Sequence, residues 1–93
     1  MQPPDLSAKP LKTRIIWREE AENQFLVYNP ASDMLHMFRP LGMRILILCD
    51  GNRTIEQIIQ TIAEETKLPL DNVRERIVKF IFELEQKKLV EIK

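Results

Sequence analysis

The sequence predicts an α+β domain in which a three-stranded antiparallel sheet precedes a three-helix bundle, an order that also matches a winged helix-turn-helix core in outline. Three observations carry this reading. Residues 12–38 hold three short β-prone runs separated by turn-forming clusters. From Leu41 onward the apolar residues change to helical spacing. Between the first two helices, Asp50-Gly51 supplies a residue free to take positive φ, and Thr54 with Gln57 forms a capping-box signature.

In chain order, residues 1–11 contain three of the six prolines and little that packs, so they read as a mobile or extended arm ahead of a domain spanning 12–93. The first strand is expected at 12–18, around Ile15, Ile16 and Trp17, and the polar run at 19–23 reads as its turn. A second strand is expected at 24–28. Asn29-Pro30-Ala31-Ser32-Asp33 has the chemistry of a type I turn in a hairpin loop, and 34–38 is the returning strand. Pro40 suits the first turn of the helix that follows, where Ile45, Leu46, Leu48 and Cys49 wrap more than half the surface and make it central. The second helix, about 55–66, places Ile55, Ile58, Ile59 and Ile62 on one face. Pro69 breaks the pattern, Asp71 or Asn72 is expected to cap, and a third helix runs from about 73 to 87. Residues 89–92 read as a brief extended tail.

Composition narrows the function. Ninety-three residues with 44% hydrophobic content make one domain with a modest core. Fourteen basic and fourteen acidic residues cancel, which argues against nucleic acid or anionic lipid as partners. The single cysteine rules out an internal disulfide and a cysteine-based zinc site. No signal peptide or spanning segment is visible, so a cytoplasmic location is expected. His36 and Cys49 are the lone histidine and cysteine and fall on different elements, and two glycines cannot build a phosphate loop. Neither catalysis nor a cofactor or metal is therefore expected.

Two features exceed what a core needs. On the third helix, Val73, Ile77, Phe80, Ile81 and Leu84 form an ordinary core stripe, whereas Val78 and Phe82 lie well outside it, flanked by Arg74 and Glu85. On the third strand, Met34, Leu35, Met37 and Phe38 put apolar groups on both faces, and the chain order gives that strand no neighbour beyond the second. An open strand edge beside spare apolar side chains is the arrangement that captures an extended peptide by strand addition.

From Trp17 to the end the sequence resembles the PqqD-like family, also called RiPP recognition elements. The resemblance rests on Phe25-Leu26-Val27-Tyr28-Asn29-Pro30, on Leu41-Gly42, on Leu48-Cys49-Asp50-Gly51-Asn52-Arg53-Thr54-Ile55-Glu56-Gln57-Ile58, and on Asp71-Asn72-Val73 with Phe80, Leu84 and Leu89. It implies a non-catalytic chaperone. Such a domain binds the leader of a ribosomally made precursor peptide as a strand added beside the third strand, against the third helix. It then presents the peptide to a modifying enzyme, often a radical SAM maturase, in natural-product or PQQ-type cofactor biosynthesis. By position, Met34, Leu35, His36, Met37 and Phe38 form the edge, and Arg74, Val78 and Phe82 the helix wall.

Two other classes compete. A winged-helix DNA-binding protein would use Arg74, Arg76 and Lys79, which share their helix with Glu75, Glu83 and Glu85. A homodimer could form by exchange of the arm or through the sheet.

Overall fold

In the computed structural model, which describes residues 6–92, the predicted order of a sheet followed by helices is present. The sheet has three antiparallel strands, β2 (Ile16–Ala21), β3 (Gln24–Asn29) and β4 (Met34–Phe38), with β3 in the middle. Three helices follow, α1 (Pro40–Leu48), α2 (Ile55–Thr66) and α3 (Leu70–Gln86). A separate two-stranded ribbon pairs β1 (Leu11–Lys12) with β5 (Val90–Glu91), joining the two ends of the domain.

The first strand differs from expectation in both directions. Its predicted start belongs to β1, because Thr13 donates from its backbone N–H to the Leu89 carbonyl at 2.9 Å and ties that stretch to the tail. Its predicted turn residues, Glu19, Glu20 and Ala21, continue the strand through a register shift, and Asn23 makes the turn at φ 62°. Charged residues are tolerated there because every residue of β2 is exposed.

The start of the domain is tied down by the needs of α2. A helix leaves its first N–H groups without partners inside the helix. Here Ile55 N–H donates to the Ala8 carbonyl and Glu56 N–H to the Leu6 carbonyl, at 2.9 and 3.1 Å. Gln57 N–H donates to Thr54 Oγ1, and the Gln57 side chain accepts from Thr54 N–H, which completes the capping box. The residues expected to form a mobile or extended arm thus lie, from Leu6 on, along the N-terminus of α2; residues 1–5 fall outside those described. Gly51 takes φ +80° as anticipated, and its N–H donates to the Pro10 carbonyl.

The third helix opens earlier than predicted. Pro69 holds the N-cap position and the helix begins at Leu70, so Asp71 sits in the first turn instead of capping. Proline's fixed φ and missing N–H cost nothing at a helix start, where that donor would be unpaired. The core lies among the helices: Met43 and Leu46 of α1, Ile55, Ile58, Ile59 and Ile62 of α2, and Ile77, Ile81 and Leu84 of α3 are almost fully buried, with Val27 covering them from the sheet. No helix among the described residues is long and apolar enough to cross a membrane.

Candidate functional site

The site is built on β4. In a strand, alternate residues face opposite sides of the sheet. Pairing of Phe25 with Phe38, Val27 with His36 and Asn29 with Met34 places Met34, His36 and Phe38 on the inner face, and burial deepens toward Phe38, which is 6% exposed. Leu35 and Met37 lie on the outer face beside Tyr28 and Leu26, and with Ile16 they make that face apolar and exposed. This accounts for apolar residues on both sides of one strand.

The turn fixes which backbone groups of β4 are free. Asp33 N–H donates to the Asn29 carbonyl at 2.8 Å, so Asn29 directs its backbone toward β4. Backbone direction alternates along antiparallel strands. Met34, His36 and Phe38 therefore turn their N–H and C=O groups to β3, while Leu35 and Met37 turn theirs outward. Among the described residues no strand pairs with that outer edge.

Beside the edge runs a groove of about 420 Å³ between the end of β4, α1 and α3, reaching Ile62 and Thr66 of α2 and Leu68 in the turn that follows. Met37, Phe38 and Arg39 form one end, Leu41 and Gly42 the α1 side, and Arg76, Ile77 and Phe80 the α3 wall. Gly42 is what lets α3 come so close: a methyl group there would meet Phe80 Cζ at 3.1 Å and Phe38 Cδ1 at 3.6 Å. The Phe38 and Phe80 rings meet edge to face, 6.0 Å between centroids at 72°. His36 stacks on Phe38 at 6.5 Å. Its Nε2 is buried without a hydrogen-bond partner, and burial, reinforced by the Lys87 charge, lowers its pKa below the usual imidazole value. Lys87 itself lines the groove. A larger depression of about 840 Å³ lies between the hairpin loop and the tail, where Asn29 at the end of β3 and the two-residue β5 are its only strand residues, too little strand to template a guest.

The residues singled out from sequence divide between two places. Met37 and Phe38 line the groove, and the rest of β4 supplies its edge. Arg74, Val78 and Phe82 do not line it. Arg74 donates to Glu56 of α2 at 2.7 Å, which lowers the Glu56 pKa, and Val78 packs partly buried against the core. Phe82 is 37% exposed, and at about 100° per residue it points some 160° away from Phe80 around α3. Phe80, which periodicity assigns to the core, is half-buried on the groove wall beside Arg76, a residue that only the DNA-binding reading invokes from sequence. The signal for that wall was the glycine: Gly42 on an otherwise bulky helix marks a close approach.

Cys49 is fully buried, its Sγ donates to the Ile45 carbonyl at 3.3 Å, and burial pushes the thiol pKa up to about 12. Among the described residues no three His, Cys, Asp or Glu side chains come together as a metal site.

The family described as coenzyme PQQ synthesis protein D (PqqD) matches residues 24–90, a span that holds β3, β4, all three helices and the groove. No curated protein and no solved structure matches the chain significantly.

Proposed function

The chain belongs to the PqqD family, and from that premise we propose that it is a non-catalytic peptide-recognition domain. It takes the leader of a ribosomally synthesised precursor as a fourth strand on β4 and delivers it to a modifying enzyme such as a radical SAM maturase. The observation that supports this is the free outer edge of β4. Leu35 and Met37 direct unpaired N–H and C=O groups away from the sheet, next to an apolar groove in which side chains of an added strand can lie. Main-chain bonding supplies affinity, and the groove selects sequence. On this reading the α3 wall is Arg76, Ile77 and Phe80, which line the groove, where the resemblance pointed to Arg74, Val78 and Phe82.

The test is amide shift mapping by NMR of the isotope-labelled chain, titrated with unlabelled synthetic leader peptides of ribosomally made precursors. The largest shifts are expected at Leu35, Met37, Gly42 and Phe80; shifts confined to α2 and the tail refute the proposal. The DNA-binding alternative is weakened by Arg74, which is tied to Glu56 and Asp71, and a gel shift at low salt separates the two readings.

A further inference from the structure

The peptide groove carries a charge that the whole molecule does not. The chain has no net charge, yet Arg39, Arg76 and Lys87 line the groove and no acidic residue does. Of the five arginines elsewhere, four are neutralised in place, Arg18 by Glu20, Arg44 by Glu65, Arg53 by Asp50 and Arg74 by Glu56, and only Arg14 is not. Among the described residues none of the three groove cations is in an ion pair. Glu83, one turn before Lys87 on α3, neither lines the groove nor pairs with Lys87.

Resting on the peptide-binding reading above, we infer that the guest is an acidic strand: an extended segment with Asp or Glu residues flanking an apolar anchor. The anchor fits between the α1 side, Leu41 and Gly42, and Phe80 on the α3 wall. Carboxylates of the guest then meet Arg39 and Lys87 near β4, where the Lys87 charge also reaches His36, and Arg76 farther along the α3 wall. Arginine favours this because its planar fork donates two parallel hydrogen bonds to a carboxylate. A nucleic acid is the poorer occupant, since three cations in a mainly apolar groove neutralise too few phosphates.

The experiment is selection of a phage-displayed library of random twelve-residue peptides on the full chain. The selected consensus is then resynthesised with a fluorescent label and titrated by anisotropy, alongside its Asp/Glu→Asn/Gln counterpart and a labelled single-stranded dodecathymidine. The consensus is expected to be rich in Asp and Glu around one large apolar residue. Its amide counterpart should bind about tenfold more weakly, the sum of a few exposed ion pairs. The double variant Arg76→Glu with Lys87→Glu should lose the acidic consensus and select a basic one. Peptides that bind at the β4 edge with neutral or basic consensus overturn the charge assignment and leave the peptide reading standing. A failure to select any peptide, or dodecathymidine binding more tightly than the consensus, overturns both.

Discussion

Proline scanning of β4 separates the edge from the ladder one residue at a time. Leu35 and Met37 each offer one donor and one acceptor outward, four groups in all, whereas His36 spends its own on Val27. Met37→Pro removes one outward donor and puts a ring where the guest backbone approaches. One hydrogen bond is worth about 1 kcal/mol net, and a guest carbonyl left unpaired adds to the loss, so peptide binding should weaken by about 1–2 kcal/mol, roughly 5- to 30-fold. Leu35→Pro should behave alike. Neither change touches the β3–β4 ladder, and edge strands accept proline, so thermal midpoints should stay close to wild type. His36→Pro is the counterpart: it removes a ladder bond and leaves the Val27 carbonyl without its donor, a cost of about 1–3 kcal/mol, or roughly 4–8 °C per kcal/mol for a domain of this size. Anisotropy titration with a leader peptide and thermal unfolding followed by circular dichroism read the two effects independently. Wild-type affinity in Met37→Pro, or an unchanged midpoint in His36→Pro, refutes the assignment of outward and inward backbone groups.

Three further outcomes follow from the fold. Gly51→Ala forces a side chain into φ +80° and places a methyl 3.1 Å from Leu11 Cδ1, so it should destabilise by about 1–2 kcal/mol in chemical denaturation; a neutral result would mean the turn relaxes freely. Cys49, with its pKa near 12, should resist thiol reagents at pH 8 in the native state and react only at the rate of unfolding, which a disulfide-exchange assay with and without urea measures. Burial, with Lys87 adding to it, lowers the folded-state His36 pKa, so on acidification the unfolded chain takes up the proton first. Stability should be full above about pH 6.5 and decline below it, ahead of the carboxylates, whose ordinary values lie near 4.5. His36→Gln should abolish that decline, and a slope unchanged in the variant would assign it elsewhere.

Most of the fold was legible because each local signal agreed with the one beside it. Pro40 opened α1, Gly51 turned the chain and Thr54 closed its box with Gln57, all where sequence chemistry required. The ends of the domain were less legible. The ribbon between Leu11–Lys12 and Val90–Glu91 joins residues about eighty positions apart, and two residues leave no period to read. The candidate site was half legible for a related reason. Strand alternation identifies an edge from one segment alone, but which flank of α3 faces that edge depends on how α3 crosses α1, a property of two helices together. Periodicity marked Val78 and Phe82 as spare because they left the core stripe, yet a groove wall is built at the border of that stripe, where Phe80 is packed on one side and open on the other. Residues that serve both the core and a guest look like core in a sequence. Here Gly42 betrayed the border, since a helix interior gives up about 1 kcal/mol by choosing glycine over alanine and recovers it only where another side chain, Phe80, fills the space.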